Sequence, residues 1–354
     1  MANDLPVITG ITESELSNFL KEHGQSSFRQ KQILDWVWRK RVQTFDEMTN
    51  LSPALRSLLA ENFRFYQPEV IELTGLKGGT RKFLTKMEDG NLVESVIIPA
   101  ARAEDGEQSS RITLCVSSQV GCAFGCKFCA SGLLGLTRNL TTAEMIGQIL
   151  SAEKIANHRI DNLVFMGMGE PLANSKNLFP ALDIITSHMG LGIGARHITV
   201  STSGFVPGIK QLVDYPKQIQ FAISLHGASN KVRNQIMPVN TKWPLEELVP
   251  ALQEWVDAGK QKPTLEYILI KDVNDSLKDC QDLISIARKL NAKVNLIPYN
   301  TVEGLQWTRP SEEHCKQFCQ TIHYARIQVT MRYEKGHDIN AACGQLRLRK
   351  EQGN

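Results

Sequence analysis

From Arg111 onward, short apolar runs alternate with longer amphipathic ones. The runs at 112–116, 162–166, 197–201, 220–224, 265–270 and 294–297 predict strands, and helical periodicity is plainest over 143–156, 245–258, 277–290 and 312–325. Strands apolar on both faces fit a parallel sheet covered by helices. A seventh strand is predicted at 328–333. A doubly wound sheet explains the alternation equally well. Polar residues follow many different strands, however, which favours an α/β partial (β/α)6 barrel whose site is assembled from loops at the strand C-terminal ends.

The first 66 residues have a helical pattern. Thr12-Glu13-Ser14-Glu15 reads as a capped start, and a second segment after Ser26-Ser27 places Ile33, Trp36 and Val37 on one face. A third helix begins at Ser52-Pro53, a favoured N-cap and N1 pair, and buries Leu55, Leu58, Leu59 and Phe63. Apolar runs at 80–87 and 92–98 flank Asp89-Gly90, a hairpin-turn signal. The chain thus divides into a small helical accessory domain at 1–66, a β-hairpin linker at 67–110, the barrel at 111–333 and a C-terminal segment at 334–354.

Composition narrows the class. With 42% hydrophobic and 22% charged residues this is a soluble globular composition. No apolar run approaches the roughly 18 residues that would span a bilayer, and the start lacks a basic and apolar leader. A cytoplasmic protein without membrane partners is expected. In that compartment eight cysteines point to metal ligands or reactive thiols rather than structural bridges. The net charge of +3 demands no nucleic-acid partner. Local patches at Arg29, Lys31, Arg39, Lys40 and Arg41, and at Arg347, Arg349 and Lys350, would serve as phosphate contacts, although solvated helix faces account for them equally. Trp38 could stack on a base, whereas Trp36 fits the helix core.

The most specific chemical signal is Cys122, Cys126 and Cys129, spaced C-x3-C-x2-C after the first barrel strand. Three thiolates can hold three irons of a four-iron cluster and leave the fourth open to chelate a small molecule. A three-thiolate zinc site completed by a histidine, a disulfide with one thiol left over, and clustered core cysteines are the alternatives. Zinc knuckles usually place ligands as two close pairs, and no second pair follows. The spacing resembles the signature of the radical S-adenosylmethionine (radical-SAM) superfamily. The next strand ends in Gly167-Met168-Gly169-Glu170-Pro171, where glycines could admit a ligand and the carboxylate could pair with its amine. Ser201, Ser224 with His226, and Asn300 end the third, fourth and sixth strands, offering hydroxyl, imidazole and amide groups. Each alone is ordinary strand-end chemistry; together they mark one rim.

Cys115-Val116-Ser117-Ser118-Gln119, Arg138-Asn139-Leu140, the 167–171 run, Ser201-Thr202-Ser203-Gly204, Ser224-Leu225-His226 and Ala341-Ala342-Cys343-Gly344-Gln345-Leu346 together resemble the RlmN/Cfr family of radical-SAM RNA adenine methyltransferases. The resemblance is nearly full length and includes 28–32 and 45–49, similar to that family's accessory domain. It implies one [4Fe-4S] cluster on Cys122, Cys126 and Cys129 and two S-adenosylmethionines per turnover. Gly169, Glu170, Ser201, Ser224, Leu225, His226 and Asn300 would be the cofactor contacts. It further implies that Cys343 is methylated, loses a hydrogen to a 5′-deoxyadenosyl radical and adds to the adenine ring. Glu94 then accepts the ring proton, and Cys115 releases the product by a transient disulfide with Cys343. Alternation alone would make Glu94 a solvent-facing strand residue. The implied partners are 23S ribosomal RNA near the peptidyl-transferase centre, transfer RNA at the adenosine after the anticodon, and an electron donor such as flavodoxin or ferredoxin. Methylation at C2 is expected, because the whole pattern, Ser117-Ser118-Gln119 included, is similar to the family's C2-methylating branch. A C8-methylating enzyme of the same family and a non-catalytic iron-sulfur RNA-binding protein are the competing readings. Cys280, Cys315 and Cys319 are expected to be packing residues.

Overall fold

The computed structural model describes residues 5–100, 111–133, 135–300 and 306–332. The amino-terminal module contains α1 (Glu13–Glu22), α2 (Phe28–Asp35) and α3 (Pro53–Asn62). Thr12 caps α1 through a reciprocal box: its hydroxyl accepts from the Glu15 N–H at 3.3 Å, and Glu15 accepts from the Thr12 N–H at 2.8 Å. Ser52 caps α3, with Pro53 at its first position. Leu55, Leu59 and Phe63 are buried as expected, and Leu58 is half-buried.

The face of α2 departs from expectation. A π-helical turn, Trp36–Lys40, follows it. Its wider winding shifts the buried stripe by about one position, so Ile33, Leu34, Val37 and Trp38 are buried while Trp36 is half-exposed. Trp36 donates its indole N–H to Asn50, with the Lys40 ammonium 3.3 Å from its ring centre. The fully buried tryptophan is therefore Trp38, while Trp36 packs only partly against the core. Arg41 is not free for phosphate either: it donates to Glu153 at 2.6 Å and so ties this module to the barrel. Lys31, Arg39 and Lys40 stay exposed.

One sheet runs through the rest of the chain. Strands β1 (Glu69–Thr74), β2 (Arg81–Lys86), β3 (Leu92–Pro99) and β4 (Ile112–Cys115) form an antiparallel meander. The hairpin is thus an extension of the barrel wall, with Val96 opposite Cys115. After β4 the chain makes a small ribbon, β5 (Gln119–Gly121) with β6 (Leu136–Asn139), enclosing the short helix α4 (Ala130–Leu133). Then α5 (Thr142–Ala156) begins the regular alternation. It continues β7 (Asn162–Phe165), α6 (Ser175–Thr186), β8 (Ile198–Thr202), α7 (Val206–Asp214), β9 (Gln220–Ser224), α8 (Asn230–Ile236), α9 (Leu245–Asp257), β10 (Thr264–Leu269), α10 (Leu277–Lys289), β11 (Lys293–Pro298), α11 (Glu312–Tyr324) and β12 (Val329–Met331). The order β4-β7-β8-β9-β10-β11-β12 is parallel throughout, as expected for six β–α units closed by a seventh strand.

Large apolar side chains fill the layer between strands and helices, among them Phe165, Phe221, Trp255 and Tyr267. Cys280 and Cys315 are buried there and Cys319 packs against it, as packing thiols should. Among the described residues, no helix is long and apolar enough to cross a membrane.

Candidate active site

A cavity of about 570 Å³ opens at the C-terminal ends of the parallel strands. Cys115, Cys122, Cys126 and Cys129 line it, as do Gly169, Glu170, Ser201, Ser224, His226 and Asn300. Leu225 and Glu94 do not; Leu225 is fully buried behind Ser224. Cys343 lies outside the described residues.

The cysteine loop is shaped by close backbone approach. Gly121 has φ +80°, and a Cβ there would stand 1.8 Å from the Gly135 carbonyl oxygen, which accepts from the Cys122 N–H at 2.8 Å. Only glycine allows this crossing. Gly121→Ala is expected to cost at least about 2 kcal/mol and to lower the iron bound after anaerobic reconstitution, read by thermal unfolding and iron assay. Within the loop, burial pushes the Cys122 thiol up to about 12, and the Cys126 thiol is raised by burial and then by its neighbours Cys129 and Cys122. The three thiols are near enough to repel one another as thiolates, which bound iron would relieve. Among the described residues, no three His, Cys, Asp or Glu side chains converge on a single-ion site. Three cysteine thiols lining one cavity are the donor set that a four-iron cluster with one open iron needs, one thiolate per iron.

Gly169 packs against chain rather than opening a gap. It has φ +101°, and a Cβ would meet Gln119 Cβ at 2.5 Å. Gln119 receives the Glu170 N–H at 2.8 Å and donates to Asn139 at 2.7 Å. The Ser117 hydroxyl donates to the Glu94 carbonyl at 2.7 Å and accepts from the Met168 N–H at 2.8 Å, while the Gln148 amide holds both Ser117 backbone groups. Ser117-Ser118-Gln119 is thus a buried hub that locks β3, α5 and the 167–171 loop together.

Glu170 is 3% exposed. Its carboxylate accepts from the Ser203 N–H and hydroxyl, both at 2.8 Å, and from Leu172 N–H at 3.3 Å. Burial raises its pKa and these donors oppose that rise. The result is an oriented acceptor suited to an ammonium group. His226 has φ +53°, and its Nδ1 accepts the Ile268 N–H at 3.1 Å. Burial lowers its pKa to about 3, so the ring is neutral, with its proton on Nε2 as a donor. Phe128, from the cysteine loop, meets this ring edge-on at 4.8 Å.

Glu94 is buried, 2% exposed, and its carboxylate lies 3.2 Å from the Lys82 ammonium, itself 1% exposed. Alternation alone misplaced it. It sits two residues before Val96, which lines the cavity, so both share one face of β3. A buried ion pair holds a carboxylate at fixed geometry and costs several kcal/mol to break from one side. Burial pushes the Cys115 thiol up to about 11, with Arg332, Lys82 and Glu94 acting on it through space.

Residues without a motif complete the site. Arg233, fully buried, donates to the carbonyls of Ser203 at 3.0 Å and Leu225, and to Asn240 at 2.8 Å. It clamps the loops after β8 and β9, and burial lowers its pKa to about 10. Arg233→Met should lower stability by about 3 kcal/mol, since charged hydrogen bonds are lost and carbonyls stay buried. It should also weaken S-adenosylmethionine binding, read by denaturant unfolding and calorimetric titration. A basic residue between Val232 and Ile236 in a short helix was the available signal.

Residues 8–64 match the model of the ribosomal RNA large subunit methyltransferase N-terminal domain, and 116–284 that of the radical SAM superfamily. The chain is 71% identical over 348 residues to a probable dual-specificity RNA methyltransferase RlmN of Akkermansia muciniphila, covering 98% of this chain and 97% of the relative. It is 49% identical over 356 residues to probable dual-specificity RNA methyltransferase RlmN 3 of Opitutus terrae, covering 98% and 95%. The crystal structure of a radical SAM methyltransferase from Sphaerobacter thermophilus superposes with TM-score 0.86 at 38% identity, covering 96% of this chain and 98% of that one. The chain belongs to the RlmN family of radical-SAM methyltransferases.

Proposed function

We propose that this chain methylates C2 of a specific adenosine in 23S ribosomal RNA, and of the adenosine 3′ to the anticodon in some transfer RNAs, through a methyl group carried on Cys343. What carries this reading is Cys115: a fourth thiol, outside the cysteine motif, lines the same cavity as the three motif thiols and Glu170. Radical generation needs no such thiol, whereas release of a covalently held product does. Neither C2 nor C8 of adenine is nucleophilic enough to take a methyl from a sulfonium, so carbon-radical addition is required.

When bound, the cluster and S-adenosylmethionine supply the methyl group and a 5′-deoxyadenosyl radical. Cys122, Cys126 and Cys129 would hold the cluster. Glu170 receives the cofactor's ammonium, Ser201, Ser224 and Asn300 give it hydroxyl and amide contacts, and the His226 Nε2–H donates to it. Gly169 and the Leu225 backbone shape the rim around it. Once the Cys343 methylene has added to the ring, the adduct must give up one electron, for which the cluster that Cys122, Cys126 and Cys129 would hold is the acceptor, and its C2 proton, then acidic enough for the carboxylate of Glu94 to take. Cys115, as the thiolate, then attacks the Cys343 sulfur: the disulfide forms, the C–S bond breaks with its electron pair on the product carbon, and that carbon takes up a proton to become the methyl group. Exposed Lys31, Arg39 and Lys40 and the ring of Trp36 offer an RNA-facing surface. A cytoplasmic setting and a flavodoxin- or ferredoxin-type electron donor complete the reading.

Anaerobic reaction with 23S RNA fragments, digestion and mass spectrometry test it. 2-Methyladenosine with 5′-deoxyadenosine is expected. 8-Methyladenosine as the sole product, or the absence of both products, would overturn it.

A further inference from the structure

Glu266 is a carboxylate with no part in the account above. It stands on β10 with Ser224 opposite it on β9 and Asn295 opposite it on β11, is 6% exposed, and lines the cavity. Asn295 Nδ2 donates to its Oε2 at 2.7 Å. Burial raises its pKa, and Arg332, which also lines the cavity, opposes that from a distance. Barrel closure does not require a charge here, since Ile268 and Ile297, which line the same cavity from β10 and β11, are apolar. Buried carboxylates retained at such cost cluster where a ligand uses them.

Position indicates which ligand. Most residues assigned to the cofactor end β7, β8 and β9. Glu266 and Arg332 continue the wall toward β12, the last strand, and Arg332 acts on Cys115 of β4. Both therefore line the cavity that also holds Cys115, the thiol that must reach the product. An acceptor beside a donor-only cation matches the N6 amine and N7 of adenine, whereas guanine offers two acceptors there. Gripping N6 and N7 leaves C2 on the far side of the base; a C8 reaction would need the carbon adjoining N7.

We propose that Glu266, braced by Asn295, and Arg332 form the substrate-adenine pocket, Glu266 accepting from the exocyclic amine and Arg332 donating to N7. This rests on the RNA-adenine reading above. The test uses RNA hairpins carrying adenosine, purine riboside or 7-deazaadenosine at the target, with equilibrium binding by fluorescence anisotropy and single-turnover methylation on the loaded enzyme. Wild type should prefer adenosine to purine riboside by about tenfold or more. Glu266→Leu should abolish that preference while Glu266→Gln, whose carbonyl still accepts, retains most of it. Arg332→Met should abolish the penalty for 7-deazaadenosine alone. The proposal is overturned if wild type does not distinguish the bases, if the preference survives in Glu266→Leu, or if Glu266→Leu changes only S-adenosylmethionine affinity. Wild type that makes no methyladenosine on any hairpin refutes instead the functional reading beneath it.

Discussion

Replacing Cys126 by alanine is expected to abolish cluster loading and 5′-deoxyadenosine formation while costing the apo fold only about 1 kcal/mol. The loop owes its shape to backbone contacts that the thiol does not make: Lys127 N–H to the Ile236 carbonyl at 2.9 Å, Cys129 N–H to the Cys126 carbonyl at 3.1 Å, and the Gly121 crossing. Truncating a sulfur at a partly accessible wall leaves a small, solvent-relieved gap. Cluster assembly, by contrast, needs every thiolate, because two ligands cannot hold three irons. Iron and sulfide content, the electron paramagnetic resonance signal after reduction and chromatography of the nucleoside check this. Cys280→Ala, which removes a core thiol, should load fully. Unchanged loading in Cys126→Ala would remove these thiols from the metal site.

The second large effect is expected for Cys115→Ala, which should arrest the reaction as a covalent RNA–protein adduct stable to denaturing electrophoresis. Every group needed before release remains in place: the motif thiols, Glu170, His226 and the Lys82–Glu94 pair at 3.2 Å. Only the attack on the Cys343 sulfur is lost. In wild type the same step should carry a pH signature. Burial holds the Cys115 pKa near about 11, so below it the thiol is protonated and the nucleophilic thiolate grows about tenfold per pH unit. Adduct resolution should therefore quicken between pH 7 and 9. A Cys115→Ala enzyme that turns over normally would contradict the thiol's role.

The parallel strands were legible because burial on both faces makes them unbroken apolar runs with sharp ends. β1 was not: Glu69 and Val70 are exposed on a sheet edge, and an edge strand lacks that signature. The β5–β6 ribbon has strands of only three and four residues, too short for periodicity to register. The buried face of α2 was misassigned because periodicity assumes α-helical winding, and the π-turn at Trp36–Lys40 breaks it. The 80–98 hairpin was found, yet its pairing with β4 is a long-range contact that a local pattern does not carry.

At the site, residues that end strands were legible from position. Glu94 was visible only through resemblance, since alternation cannot foresee that Lys82 would accompany it into the interior. Glu266 and Arg332 lie in no motif, and they come together with Cys115 only where the barrel brings β4, β10 and β12 to one cavity. Ser117-Ser118-Gln119 is one part of the pattern that resembles the C2-methylating branch; in the fold it joins β3 to the 167–171 loop.

On the proposed route the transferred carbon passes through Cys343 as a radical rather than as a sulfonium methyl. Trideuteromethyl S-adenosylmethionine, with enzyme freed of prior methylation, tests it most directly. The predicted result is 2-methyladenosine whose methyl retains two deuteriums, with one deuterium in the 5′-deoxyadenosine. A product methyl retaining all three, with unlabelled 5′-deoxyadenosine, would contradict it.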